Sequence, residues 1–487
     1  MFKRIGIGCC LMFCAALPLN AYAQQRVVSL DEVSRLALDN NFDIQLVKYD
    51  IRISRQGIDA AKSAYDTLLE ASLGYGNDKS AHNSTLLSDE TTTRDSAVSL
   101  ARILPSGTTI TVEHAASRGW QDPAVSVAYN PVHEASMGVT VSQDLGRNFF
   151  GLQDRGAVRV AMKDVAGAEY LSFDKIEQAL ADVQKSYWAL VLNEEIYTMQ
   201  QEFLDQSKRL YEIDQERITH GLIEEPQLLG SEANYQQQWS AVLAARDELK
   251  ASENVLRLEL NLSRDRDAGL APAERFHPQE PALSLDDSLA KALANRRDYQ
   301  AAMNEISRRD ILLVMKKNLL WPQINLEASW TQNGLDDSYG GAIAAVFNED
   351  HTDLSAELSV SGSLENRMAR SEMRQAQFAR ARALLDMKYL EHRIMIEIVD
   401  SIRRCDIAYQ RYESLKKAAD LQTRKAQAQE EIFRGGRSDS DTVIRYQEDA
   451  IAARLQAAQA AYAYYTAMID LNRSEGTLLP RYWDGQI

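Results

Sequence analysis

The chain has 487 residues, 54 basic against 70 acidic, for a net charge of −16. That balance excludes a nucleic-acid binder, which needs clustered positive charge. The length alone allows two to four ordinary domains.

The first 23 residues read as a removable export signal. Lys3 and Arg4 supply the positive start, residues 5–17 are apolar, and Ala21-Tyr22-Ala23 forms a cleavage site before Gln24. Three of the four cysteines (Cys9, Cys10 and Cys14) fall inside it. The mature chain is expected to keep only Cys405, so no intramolecular disulfide is available. Cys405 sits at a core spacing in a helical pattern and reads as a small buried hydrophobe. Removing the signal leaves 52 basic against 70 acidic residues, a net of about −18. Beyond the signal no apolar run reaches 18 residues. An exported chain of this kind that crosses a membrane must use β-strands.

The segment from Ser29 reads SLDEVSRLALDNNFDIQ, and 255 positions later the segment from Ser284 reads SLDDSLAKALANRRDYQ. Ser29, Leu30, Asp31, Ala37, Leu38, Asn40, Asp43 and Gln45 meet identical residues in one register. An LEAS tetrapeptide at Leu69 recurs at Leu326. The chain is a tandem duplication, and its long period points to one fold of two related halves rather than a solenoid.

Residues 67–147 of the first half form its strand block, with alternating segments at 69–76 and 137–145. An extra pair at 97–104 and 108–114 is joined by Pro105-Ser106-Gly107. Short, modestly apolar alternation of this kind is the signature of an outer-membrane barrel. The extra pair either joins the barrel, giving six strands per subunit, or is an ornament outside it, leaving four. One subunit has too few strands to close a barrel, so several copies must share it.

From about residue 150 to 262 the period becomes seven. Ile176, Val183, Leu190, Tyr197, Leu204, Tyr211 and Ile218 recur without a miss, flanked by Phe173, Leu180 and Tyr187. This is a coiled-coil seam on a helix of roughly 68 residues, about 100 Å long. Its return helix carries Leu228, Tyr235, Val242, Leu249 and Leu256. Gly221 stops the first helix, and Leu222, Ile223, Glu224 and Glu225 lead into the second.

Residues 263–283 break all periodicity and read as a linker. The second half (284–475) repeats the plan, with a strand block at 323–363 and a long loop at 332–352. A hairpin follows over about 364–475, and residues 476–487 are left as a C-terminal tail. Ile398, Cys405, Tyr412, Ala419, Ala426 and Phe433 mark the long helix; Leu455, Tyr462 and Ile469 mark its partner. Gly435 and Gly436 stop the helix before Arg437, Ser438, Asp439, Ser440 and Asp441.

The seven histidines are scattered, and the sequence has no metal-ligand pair, nucleophile elbow or phosphate loop. No catalytic residue and no cofactor are expected. Asp439-Ser440-Asp441 lacks the later ligands and the turn glycine of a calcium loop. Acidic residues at the two tips are ordinary helix capping. In a tube of several subunits the same residues would converge on one axis.

Together these features resemble the TolC-like outer membrane efflux proteins, over nearly the whole mature chain. The similarity rests on the repeated S-L-D…A-L-x-x-N openings, Trp321-Pro322 entering a strand, and Val141-Ser142-Gln143 with Leu145 leaving one. The 435–443 tip is similar to a G-x-x-S-x-x-D-V-L pattern. The sequence departs from the family at Asp144 and Asp66, where proline is usual, and at Gln227, aligned with Asp441. The resemblance implies a homotrimer with a shared outer-membrane β-barrel and a periplasmic α-barrel of long hairpins. It also implies a periplasmic adaptor and an inner-membrane transporter as partners, outer-membrane lipid as surroundings, and passive export in a tripartite efflux or type I secretion system. It places Asp439, Asp441, Glu224 and Glu225 at a periplasmic aperture and Arg434, Arg437 and Arg445 as gate bridges. Gly221, Leu222, Gly435 and Gly436 would be adaptor-contact tips. A periplasmic coiled-coil adaptor or rod is the competing reading; it leaves the strand blocks unexplained.

Overall fold

The computed structural model describes residues 26–483 apart from 82, 85, 86, 126 and 263–268, so the export signal lies outside the described residues. The duplication is visible element by element. Helices α1 (Leu30–Asn40) and α5 (Leu285–Asn295) have 11 residues each. Each is capped by the serine of its S-L-D: Ser29 Oγ accepts from the Glu32 N–H at 3.2 Å, and Ser284 Oγ from the Asp287 N–H at 3.4 Å. These caps satisfy donors that a first helical turn leaves unpaired. Helices α2 (Phe42–Lys62) and α6 (Arg297–Asn318) follow.

The long hairpins match in length. Helices α3 (Leu152–Thr219) and α8 (Arg367–Arg434) have 68 residues each, and α4 (Glu225–Glu259) and α9 (Ser440–Ser474) have 35 each. Equivalent residues are 255 apart in the short helices but 215 apart in the hairpins. The first half carries an extra strand pair in between.

Strands β2 (Leu68–Asp78), β3 (Glu90–Ile103), β4 (Thr108–Asp122), β5 (Val132–Asp144), β7 (Gln323–Asp336) and β8 (Thr352–Ser361) form one antiparallel sheet of six, in that spatial order. The 97–114 hairpin is therefore interior to the sheet, as the six-strand alternative requires. Its turn is docked at the helical end. A Cβ on Gly107 would lie 2.6 Å from the Gly151 nitrogen, and one on Gly151 2.3 Å from the Pro105 oxygen, so the turn and the start of α3 touch backbone to backbone.

Register sorts the sheet into two faces, because directly opposed residues share a side. One face carries Leu69, Leu73, Val98, Leu100, Ile110, Val141, Leu326, Trp330, Leu354, Leu358 and Val360, all substantially exposed. The other carries Glu70, Ser99, Asp95, Glu113, Thr140, Ser142, Glu327, Ser329 and Glu357. The polar face is hollowed by a cavity of about 600 Å³ lined by Asp95, Ser117, Glu134 and Asn333 among others. The sheet therefore curls with its polar face inside. Both outer strands, β2 and β8, have one open edge.

The sequence reading differs from the structure at several places. Inside the expected loop at 332–352 lies helix α7 (Tyr339–Asn348), capped by Ser338 and packed through Ala342, Ala345 and Val346 on the sheet. The linker is not loose over its described part: β6 (Leu270–Pro272) pairs in parallel with β1 (Arg26–Val28), and Phe276 stacks on Trp188 at 5.6 Å. The C-terminal tail begins with α10 (Leu478–Tyr482), whose Leu478 and Leu479 N–H groups donate to Glu177 Oε1 at 2.9 and 3.3 Å. Finally, the seam of α3 shifts. Ile176, Val183 and Leu190 are buried, but toward the tip the buried set is Met199, Phe203, Ser207, Leu210 and Asp214 rather than Tyr197, Leu204, Tyr211 and Ile218. A straight helix drifts about 20° per heptad against a strict seven-residue repeat, so the series rotates off the contact. In α8 all six residues from Ile398 to Phe433, Cys405 included, are buried.

Candidate functional site at the hairpin tips

Both tips turn on glycine with positive φ, Gly221 at 66° and Gly436 at 72°, the left-handed step that ends a helix without a Cβ clash. The Leu222 N–H donates back to the Arg217 oxygen at 2.9 Å and the Arg437 N–H to the Ile432 oxygen at 3.1 Å. Leu222 is 71% exposed, and Gly221, Gly435 and Gly436 are exposed beside it.

Asp439 is the N-cap of α9: Oδ1 accepts from the Thr442 N–H at 2.7 Å. That bond, helped by the Arg445 charge, holds the Asp439 carboxyl below the usual carboxylate range. Glu224 occupies the same place on α4, its N–H donating to Gln227 Oε1 at 3.4 Å, and Pro226 stands in the first turn. The constant offset of 215 residues pairs Gln227 with Thr442 and Pro226 with Asp441, which corrects the sequence alignment by one position. Asp441 leans toward α4; a Cβ on Gly230 would be 3.2 Å from its Oδ1. Asp439, Asp441, Glu224 and Glu225 are all exposed.

The arginines make local contacts within this chain. Arg434 pairs with Glu430 one turn back at 2.5 Å, and Arg445 donates to Thr442 Oγ1 at 3.3 Å. Arg437 stands exposed beside Gly435, its Nε 3.8 Å from where a Cβ there would lie.

Two residues the heptad reading passed over join the hairpins. Arg217 lies over the Phe433 ring at 4.0 Å, and its Nη2 donates to the Phe433 oxygen at 3.0 Å. Asp214, fully buried, accepts from Ser440 Oγ at 2.8 Å, and burial raises its carboxyl above the ordinary value. Leu210, Phe433 and Val443 form the small apolar core between these contacts. The usable signal was a charge on the core face of a helix, at Asp214, about two turns before the glycine stop.

Among the described residues no group of three or more His, Cys, Asp or Glu is placed to hold a metal, and no helix is long and apolar enough to cross a membrane. Neither a protein-family model nor a curated relative matches the sequence. Solved structures do match the fold. The open state of the Neisseria gonorrhoeae MtrE outer membrane channel superposes with a TM-score of 0.66 at 14% identity, over 92% of this chain and 89% of that one. The Campylobacter jejuni CmeC outer membrane channel gives 0.66 at 14%, over 92% and 85%. The Vibrio cholerae outer membrane protein VceC gives 0.66 at 13%, over 92% and 96%. With its duplicated halves, paired 68- and 35-residue helices and single curled sheet, the chain has the fold of the TolC-like outer membrane channels.

Proposed function

We propose that this chain is one subunit of a homotrimeric export channel, a passive conduit from the periplasm through the outer membrane. Three six-stranded sheets would pair through the open edges of β2 and β8 into a barrel of about 18 strands. The helical hairpins would close into a tube reaching about 100 Å into the periplasm. The observation that carries this reading is the sheet itself. Its convex face carries an exposed apolar band, covered in part by the apolar helix α7, its concave face is polar, and aromatic side chains gather at both ends. Phe149, Phe150 and Trp321 stand exposed at the helical end, and Tyr75 and Tyr339 at the far end. That pattern is the apolar band with two aromatic girdles that lipid imposes on a barrel. A periplasmic rod has no use for it.

At the tube's far end, threefold symmetry would gather Asp439, Asp441, Glu224 and Glu225 into rings at the periplasmic mouth. Confined like charges there favour cations. Arg434, Arg437 and Arg445 would reach across subunit boundaries to hold the mouth closed. The exposed tip residues Gly221, Leu222, Gly435 and Gly436 would meet a periplasmic adaptor, itself joined to an inner-membrane transporter, in a tripartite efflux or type I secretion assembly. The test is fractionation. The reading expects a heat-modifiable trimer in the outer-membrane fraction, with the mature chain beginning near Gln24. A soluble, folded monomer of the mature chain would overturn it.

A further inference from the structure

At the outer end of the sheet's apolar face, register places Tyr75, Arg94, Arg118, His133 and Asp336 in one row across five strands. Arg94 and Arg118 are directly opposed, which sets their Cβ atoms about 5 Å apart, and like charges so placed are unfavourable. Among the described residues no carboxylate lies within ion-pairing distance of either guanidinium. Asp336, at the end of the row, is taken up by the next turn, where the Ser338 N–H and Oγ both donate to its Oδ1 at 3.0 Å.

In the row next toward the periplasm, the β4, β5 and β7 residues Ala116, Ala135 and Gly334 carry almost no side chains. Helix α7 lies in that trough. A Cβ on Gly334 would fall 2.1 Å from the Ala342 oxygen, so only glycine lets the helix approach so closely. The helix (YGGAIAAVFN) is apolar on every side, and Phe347, 71% exposed, points away from the sheet. A helix apolar all round belongs in an apolar medium.

The depth of this site follows from the strands. On β3 the apolar stretch of this face lies between Arg102 and Arg94, eight residues, or about 26 Å along a tilted strand. At the roughly 40° tilt of barrel strands that is about 20 Å of height, a few ångströms short of the roughly 25 Å band of such barrels. Arg94 and Arg118 therefore stand a few ångströms inside the outer boundary, within a side chain's reach of the lipid phosphates.

We propose that Arg94 and Arg118, with α7 as an apolar shelf beside them, bind a membrane lipid with a phosphorylated headgroup. The phosphate sits between the two guanidinium groups, offsetting their mutual repulsion, and an acyl chain lies along α7 against Phe347. The inference rests on the apolar face meeting lipid, as proposed above. Three copies of the site would ring the outer rim of a trimer.

The test uses the full mature chain purified in detergent as a trimer, titrated with dimyristoyl phosphatidic acid and followed by native mass spectrometry. Dimyristoyl glycerol, with the same chains and no phosphate, and inorganic phosphate are the comparison probes. The proposal expects phosphatidic acid to be retained well above both. R94Q/R118Q should weaken that retention roughly ten- to thirty-fold, as two interfacial cations imply, and Phe347→Ser should weaken it without abolishing phosphate selectivity. Equal retention of the diacylglycerol, equal binding of free phosphate, or unchanged retention by R94Q/R118Q would overturn it. Trimer mass and single-channel conductance of each variant are recorded in parallel. A conducting trimer without lipid selectivity refutes this inference alone; absence of a trimer refutes the channel reading.

Discussion

Arg217→Ala removes a contact that no sequence pattern marked. The guanidinium covers the Phe433 ring at 4.0 Å and donates to the Phe433 oxygen at 3.0 Å, tying the end of α3 to the end of α8. A partly desolvated cation–π contact contributes about 1 kcal/mol, and a hydrogen bond from a charged donor about 1.5–3 kcal/mol. Solvent reaches one side of Arg217, so the sum is discounted to about 2 kcal/mol, or roughly thirty-fold in a local opening equilibrium. Phe433 itself is 1% exposed, so its burial survives the change. Hydrogen exchange of the amides from Phe433 to Val443 should accelerate by about that factor, while amides in the middle of α8 keep their protection. Arg217→Lys, which keeps charge but loses the planar fork, should fall between. Arg437→Ala is the control, because that side chain makes no bond to α3. Acceleration below about two-fold in Arg217→Ala, or equal acceleration in Arg437→Ala, would refute the assignment of the tip contact to Arg217.

Asp214 gives a pH dependence of known sign. Its carboxyl is raised by burial, so its contribution is complete below the unfolded value near 4 and is lost as pH rises through the folded value. Tip protection, corrected for intrinsic exchange, should therefore increase as pH falls from neutral toward the unfolded value, and Asp214→Asn should flatten that dependence; an unchanged slope would contradict it. Asp439 runs the other way: its lowered carboxyl stabilises α9 above the unfolded value, and the effect fades as pH falls through the folded one. Asp439→Ala should cost about 1 kcal/mol of helix-end stability in a denaturant melt, and Asp439→Asn much less. Asp439→Asn with Asp441→Asn should lower cation over anion permeability in planar bilayers, and unchanged selectivity would leave these carboxylates as caps alone. A cysteine placed at Ser106 should label from the periplasmic side and not on intact cells, since its turn abuts the start of α3; surface labelling would invert the sheet.

Most of the helical architecture was legible because it follows from periodicity. The S-L-D repeats became capped helices of equal length, and the series from Ile398 to Phe433 is buried at every step. The α3 seam was legible only as far as Leu190. Beyond it, the strict heptad series drifted off the contact, and Asp214 took a core position that a polarity count would refuse. Helix α7 escaped because Gly340 and Gly341 read as loop, although its cap at Ser338 is local; its seat on Ala135 depends on a strand about 200 positions earlier. The β1–β6 pair is three residues long, too short for alternation to register. At the tips, the capping roles of Glu224 and Asp439 followed from residue type and place. Arg217 did not, because its partner is 216 positions away.

Single-channel recording tests the central claim most directly. The purified mature protein, added to one side of a planar lipid bilayer, should insert as a trimer and give uniform conductance steps that favour cations. Heating that dissociates the trimer should abolish them. A folded monomer that enters no bilayer, or a trimer that inserts and passes no current even with Arg434, Arg437 and Arg445 replaced, would contradict the account.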